Sequence, residues 1–286
     1  RDDDTVVNFT VSAGGLSAAN SLDVRPADGG SSTDIITLGA GNDSVIYLDG
    51  AHFDTADTIN GGLGTDGIIV YQAGNAHSAT YTNVSNIESI TYTNLNGGTV
   101  GGTLADGNFV SQTLATVSGV GLTTALTFDG TAENDSSIAL TGGTAGDTLT
   151  GTDTTTKGDT INGNGGADTV GISDADTLTS LTGAVLSDIE VLSASATDTT
   201  QYNTSFVPGI SAVASSAATD NITSTQVTFS YMDAENSTAT ISGTEDVTLS
   251  LAVDGAADVG NITVGLATQA SLTNADIVAN DYETIN

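Results

Sequence analysis

Aspartate recurs in this chain at the sixth place of a nonapeptide whose other fixed places are three glycines and one apolar residue. Residues 61–69 (GGLGTDGII) carry the pattern at each place, and residues 142–150 (GGTAGDTLT) lack only the third glycine. Glycine permits tight turns at positive φ that bring carbonyl oxygens together, and the aspartate adds a carboxylate to the same turn. Calcium binds oxygen ligands of both kinds. The pattern therefore predicts several Ca²⁺ sites.

The pattern occurs in two blocks, over residues 29–69 and 142–171. Its eighth place is always Ile, Val or Leu, which predicts a short strand with that side chain in the core. The candidate carboxylate ligands are Asp34, Asp43, Asp57 and Asp66 in the first block, and Asp147, Asp159 and Asp168 in the second. The candidate carbonyl ligands belong to Gly39, Gly41, Gly62, Gly64, Gly143 and Gly165.

Tandem nonapeptides are typical of a flattened parallel β-solenoid in which two repeats make one turn. Consecutive aspartates then lie on opposite edges, and alternate aspartates stack on the same edge. The stacked pairs expected from the spacing are Asp34 with Asp57, Asp43 with Asp66, and Asp147 with Asp168. Asp159 could stack on either of two aspartates, Asp135 or Asp176.

Part of the chain is duplicated at an offset of 102 residues. Residues 57–60 (DTIN) reappear at 159–162, and residues 84–90 (VSNIESI) resemble 186–192 (LSDIEVL). We interpret the second pair as a strand that carries the motif Asn/Asp-Ile-Glu. Glu88 and Glu190 either cap a further calcium site or face solvent between inward apolar residues.

The composition favours a fold that needs cations. The chain has 35 acidic and 3 basic residues, a formal net charge of −32, and no cysteine. This charge argues against nucleic-acid binding and opposes compaction. The hydrophobic content of 38% nevertheless argues against disorder. Since no disulfide is available, bound calcium would supply the cross-links.

The remaining segments are also expected to be all-β, because Thr, Val, Ile and Gly are abundant and alternating runs recur. The stretch at 97–107 is expected to be a loop or a degenerate repeat, and 201–286 either an antiparallel sandwich or a continued solenoid. We expect an N-terminal β segment, two calcium-roll modules and a C-terminal β segment, over residues 1–28, 29–127, 128–200 and 201–286. No run of 18 apolar residues occurs, so no membrane span is expected.

Catalytic motifs are missing from the sequence. Its only histidines are His52 and His77, which cannot form an HExxH zinc motif. It has neither a Gly-x-Ser-x-Gly elbow nor a cysteine nucleophile. We therefore expect that the protein is not an enzyme.

The tandem repeats and the Asn/Asp-Ile-Glu motifs resemble those of the RTX family of secreted bacterial proteins, and more narrowly its calcium-dependent S-layer and adhesin members. The resemblance implies secretion to the bacterial cell surface, folding on external calcium, and assembly with copies of the same chain into a lattice or filament. Cell-surface polysaccharide is a second partner that it suggests. Two functions stay open: a structural subunit of a surface layer or filament, and a spacer within an adhesin that binds surfaces or glycans. We also expect the chain to be a segment of a longer polypeptide.

Overall fold

A computed structural model shows that the chain is all-β, as predicted, and that its parallel sheets form a β-solenoid with turns of about 23 residues. Among the described residues the one helix is a single 3₁₀ turn, Gly50–His52, and no helix is long and apolar enough to cross a membrane. The structure describes residues 8–26, 32–72, 77–94, 100–109, 114–133, 136–151, 159–172, 185–194, 200–203, 212–215, 226–232, 237–241, 246–251, 259–264, 277–280 and 284–285.

The chain divides into two compact units. The first contains Arg1–Thr152 and Asp159–Gly166, and the second contains Asp153–Gly158 and Ala167–Asn286. The segment boundaries expected from the sequence stay predictions.

The first unit is built from parallel strands that fall into three sheets. The first sheet contains β1 (Thr10–Ser12), β3 (Ile35–Thr37), β5 (Thr58–Asn60) and β8 (Val84–Ser85). The second contains β2 (Asp23–Val24), β4 (Ser44–Tyr47), β6 (Gly67–Gln72), β9 (Ser89–Asn94), β11 (Ala115–Gly121), β13 (Ile138–Thr141) and β15 (Thr160–Asn162). The third contains β7 (His77–Thr80), β10 (Val100–Thr103), β12 (Leu126–Asp129) and β14 (Thr148–Thr150).

The described strands of the second unit are also parallel. One series contains β16 (Thr169–Ile172), β18 (Val191–Ala194), β20 (Ala212–Ser215), β22 (Ser237–Ile241), β24 (Val259–Val264) and β26 (Thr284–Ile285). Another contains β19 (Thr200–Asn203), β21 (Gln226–Met232), β23 (Asp246–Leu251) and β25 (Ile277–Asn280), and β17 (Val185–Ser187) lies between β16 and β18 along the chain. Because neighbours in each series pair in parallel, the described strands within residues 201–286 continue the solenoid, and the antiparallel alternative is wrong for them.

The turns are longer than two nonapeptides, so that part of the sequence interpretation is wrong. Asp34 and Asp57, which occupy equivalent places in successive turns, are 23 residues apart. The corners hold the additional residues. Between β4 and β5 the chain inserts the 3₁₀ turn, which the Asp49 carboxylate caps by accepting the Ala51 N–H at 3.0 Å. A corner can lengthen without disturbing the strand register on either side.

The eighth-place apolar residues form the core, as predicted. Val45, Ile68 and Ile90 stack in register on β4, β6 and β9, and the column continues through Val117 and Leu140. Each of these side chains is at most 2% exposed. Burying one such side chain stabilises the fold by about 1.5–3 kcal/mol.

Within the glycine-rich stretch at 97–107, residues Val100–Thr103 form a strand, β10, rather than a loop. Gly101 and Gly102 lie within β10, and Gly102 is opposite Phe128 on β12. A side chain at Gly102 would overlap the hydroxyl group of Tyr92, which donates to or accepts from Tyr81 at 2.6 Å. Glycine is needed here because two large aromatic side chains fill the interior of adjacent turns.

Candidate metal-binding carboxylate ladders

The first candidate site is a stack of aspartates at the corners that precede β3 and β5, which we call the first-edge ladder. Asp34 and Asp57 each stand one residue before their strand. The Phe9 N–H donates to Asp34 Oδ1 at 3.1 Å, and the Asp34 N–H donates to Asp57 Oδ1 at 2.9 Å. Asp57 Oδ2 accepts the Asp54 N–H at 3.0 Å. The predicted stacking of Asp34 on Asp57 is therefore observed.

A second-edge ladder runs through the corners that precede β4, β6 and β9. The Leu22 N–H donates to Asp43 Oδ1 at 2.7 Å, and the Asp43 N–H donates to Asp66 Oδ1 at 2.8 Å. The Asp66 N–H then donates to Glu88 Oε2 at 2.5 Å. Asp43 thus stacks on Asp66 as predicted, and Glu88 takes the next place, where a further aspartate would stand.

The second block repeats the arrangement. The Leu126 N–H donates to Asp147 Oδ1 at 2.8 Å, and the Gly143 N–H donates to Asp147 Oδ2 at 2.6 Å. Asp159 Oδ1 accepts the Ile138 N–H at 2.8 Å, because the register places Ile138 opposite it. The two aspartates proposed as neighbours of Asp159, Asp135 and Asp176, lie outside the described residues. Asp168 belongs to the second unit, so its pairing with Asp147 stays a prediction.

The six candidate glycines stack in pairs, one turn apart. The Leu63 N–H donates to the Gly39 carbonyl at 3.0 Å, and a Cβ atom on Gly62 would overlap the same carbonyl. A Cβ atom on Gly64 would likewise overlap the Gly41 carbonyl. Gly62 and Gly64 have φ of 97° and 131°, which L side chains rarely adopt. In the second block the Gly165 N–H donates to the Gly143 carbonyl at 3.2 Å.

The stacked carboxylates are buried, and few cationic side chains are available to compensate their negative charge. Asp34, Asp43, Asp57, Asp66, Asp147, Asp159 and Asp168 are each at most 2% exposed. Burial, reinforced by neighbouring acidic groups, raises the pKa of Asp57 and of Asp66 from 3.8 to about 6. Burial also raises the pKa of Asp34 and of Asp147, although backbone N–H donors oppose the shift. The whole chain has 3 basic residues, so Lys and Arg can pair with few of its carboxylates.

At Gly61 and Gly142, the missing side chain leaves a small space towards which oxygen atoms point. Asp66 Oδ2, a buried atom that accepts no hydrogen bond within the described part of the chain, lies 2.8 Å from the position of a Cβ atom on Gly61. The Asn86 carbonyl oxygen lies closer still to that position. A Cβ atom placed on Gly142 would lie 2.6 Å from the Gly163 carbonyl oxygen, and Asp147 Oδ2 also approaches that position.

This oxygen set suits calcium, which accepts carboxylate and backbone carbonyl ligands together. Within the described ranges no three His, Cys, Asp or Glu side chains form a group that could hold a metal ion. Backbone carbonyl oxygens would therefore have to complete any site. Carbonyls that line a glycine-rich turn are able to do so.

The Asn/Asp-Ile-Glu motif forms a corner between two strands, so its assignment to a strand is wrong. Residues 86–88 connect β8 to β9, and residues 188–190 connect β17 to β18. Asn86 and Asp188 have φ of 54° and 52°, which Asn and Asp tolerate better than most residues. At Glu190 the carboxylate accepts the Asp168 N–H at 2.7 Å, as Glu88 does with Asp66. Both glutamates are partly buried, so neither is simply a solvent-facing residue.

The sequence interpretation missed several buried polar residues at the corners. Asn108, 1% exposed, donates to the carbonyls of Tyr81 and Val84 at 2.7 Å. Glu133, fully buried, accepts the Phe109 N–H at 3.3 Å. Neither residue lies in a nonapeptide. Their spacing from the ladder residues, in steps of one turn, is the signal that could have revealed them.

The chain matches no protein-family model, no curated protein and no solved structure.

Proposed function

We propose that the chain is a calcium-stabilised structural protein of the bacterial cell surface, a subunit of an RTX-type surface layer or filament. The observation that carries this proposal is the stacking of buried carboxylates with almost no basic residues in the chain. Asp34 lies on Asp57 and Asp43 lies on Asp66, one turn apart. Like charges at such spacing repel each other, and the repulsion is strong where water is excluded.

The repulsion within the ladders favours the binding of several divalent cations. Bound calcium would neutralise the carboxylates and connect adjacent turns. The residues that would hold it are the seven described ladder aspartates together with carbonyl groups of the glycine turns. At a hundredfold excess of free cation over Kd, each site adds about 2.7 kcal/mol to the free energy of unfolding. External calcium would then determine where the protein folds.

The assembly proposal rests on charge and on the unevenness of the repeats. A chain of net charge −32 repels its own copies, so contacts between copies require neutralisation. Only two divergent copies of the calcium motif occur, and residues 201–286 lack it. This unevenness favours a subunit whose segments each make a specific neighbour contact over a stalk of near-identical modules. The proposal assigns no catalytic activity.

Electron microscopy of the purified chain in millimolar calcium and in chelator tests the assembly. We expect ordered sheets or filaments in calcium that dissolve on chelation. Magnesium at the same concentration is the matched control, because it has the same charge but retains its water and demands octahedral geometry. Magnesium should not support assembly.

Circular dichroism under the same conditions separates folding from assembly. A folded monomer that stays monomeric at high calcium and binds glycans or cell surfaces specifically would favour the adhesin spacer. Sheets that persist in chelator would contradict the role of calcium.

A further inference from the structure

The corner at residues 86–88 brings a carboxylate and a backbone carbonyl oxygen to the end of the second-edge ladder, beside the Asp66 carboxylate. Glu88 Oε2 accepts the Asp66 N–H, so its carboxylate lies beside the Asp66 backbone. The Asn86 carbonyl points towards Gly61, where Asp66 Oδ2 also lies. Because Asn86 adopts a positive φ, the carbonyl and the carboxylate of one short segment are both presented to the preceding turn.

The same corner occurs a second time, in the other unit. The Glu190 N–H and Val191 N–H donate to the Asp168 carbonyl at 3.1 and 2.8 Å. The Glu88 N–H and Ser89 N–H donate to the Asp66 carbonyl at 2.9 and 3.1 Å. In both copies the glutamate takes the position that the next ladder aspartate would occupy. Its longer side chain reaches the amide of the preceding turn.

An amide cap alone does not explain a glutamate at this place. Glutamine would accept the same N–H and would add no negative charge beside a buried aspartate. The choice of a carboxylate increases repulsion, since Glu88 is one of the groups that raise the Asp66 pKa. Asp66 Oδ2 is also buried and accepts no hydrogen bond from the described residues, which is costly unless another species contacts it.

We propose that the Asn86 carbonyl and Glu88 form, with Asp66, a divalent-cation site outside the nonapeptide pattern, and that the Asp188 backbone carbonyl, Glu190 and Asp168 form its counterpart. The inference rests on the proposed function, because it extends cation binding to the last member of a ladder. Hard oxygen ligands of mixed carboxylate and carbonyl type favour Ca²⁺ over transition metals. A cation bound at this site would contact the last carboxylate of the ladder.

Calcium counting by equilibrium dialysis on the full chain tests the proposal. Glu88→Gln keeps an oxygen acceptor for the Asp66 amide and removes one charge. We expect one fewer bound Ca²⁺ in Glu88→Gln, one fewer in Glu190→Gln, and two fewer in the double variant. Asp129→Asn is the matched control, because the Asp129 carboxylate accepts hydrogen bonds from Thr131, two residues away, and belongs to neither ladder. Its calcium count should equal that of the wild type.

The outcomes separate this inference from the proposed function. A wild-type chain that binds calcium, with unchanged counts in both Gln variants, overturns the inference alone. A wild-type chain that binds no calcium overturns both. Circular dichroism checks folding, and a Gln variant that stays unfolded at every calcium concentration also contradicts the inference, because the amide contact is retained and the remaining sites should restore the fold.

Discussion

Without calcium, the fold should become more stable as the pH falls from 7 towards 4. Asp57 and Asp66 have a pKa of about 6 in the fold and an ordinary value of 3.8. A carboxyl group with a raised pKa binds its proton more tightly in the folded chain, so protonation stabilises the fold. This stabilisation is complete below about pH 3.8 and is lost as the pH rises through about 6.

The size of the effect follows from the two pKa shifts. A shift of one pKa unit corresponds to about 1.4 kcal/mol, and each group shifts by roughly 2 units. Allowing for screening at a corner of the solenoid, we expect about 2 kcal/mol from each carboxylate and about 4 kcal/mol from both. Protons and calcium compete for these carboxylates, so in millimolar calcium the free energy of unfolding should instead rise with pH.

Circular dichroism in calcium-free buffer between pH 4 and 7 follows the folded fraction, and urea titrations give the free energy of unfolding at each pH where the chain is folded. Asp66→Asn is the informative variant, because its amide oxygen still accepts the Asp43 N–H while the titrating group is gone. It should lose about half of the pH dependence. A stability that is constant or rises from pH 4 to 7 in calcium-free buffer would refute the reasoning, and so would an unchanged slope in the variant.

Three further predictions concern folding and packing. At pH 7 the chain should be largely disordered in chelator and β-rich in millimolar calcium; an unchanged β signal in chelator on circular dichroism would contradict this. Ile36→Ala removes a fully buried side chain and should cost about 2–5 kcal/mol of unfolding free energy in calcium, whereas Ile35→Ala, at 47% exposure, should cost less than about 1; equal costs in denaturant titrations would show that the strand faces are misassigned. Gly62→Ala should lower the melting temperature because of its φ of 97° and its overlap with the preceding turn, whereas Gly15→Ala, which meets nothing within 4 Å, should be nearly neutral.

The sequence predicted those features that depend on spacing. The apolar residue two places after each aspartate predicted the buried face of each strand, and Ile36, Ile59 and Ile68 are all fully buried. The recurrence of aspartate predicted the stacking of Asp34 on Asp57, even though the turn was longer than expected. Strand pairing fixes these positions, so they follow from periodicity alone.

The sequence did not predict features that depend on the corners. The length of the segment between β4 and β5 is set by a local 3₁₀ turn and its Asp49 cap, which follow no repeat. The Glu88 segment was assigned to a strand because apolar residues flank its glutamate, although Ile87 and Ile90 are three places apart and do not alternate as strand residues do. The positive φ of Asn86 turns the chain there, and an isolated Asn does not by itself reveal such a turn.

The hydrogen bonds of the ladders all run in one chain direction. Phe9, Asp43 and Asp66 each donate a backbone N–H to a carboxylate that comes one turn later. During synthesis from the N-terminus, a turn therefore cannot complete its ladder hydrogen bonds until the next turn has been made. Truncation would be asymmetric as well: loss of an early turn leaves a carboxylate without its amide donor, whereas loss of a late turn leaves amides without their carboxylate acceptors, at about 0.5–1.5 kcal/mol for each hydrogen bond that water replaces. Each later turn thus stabilises the turn that was synthesised before it.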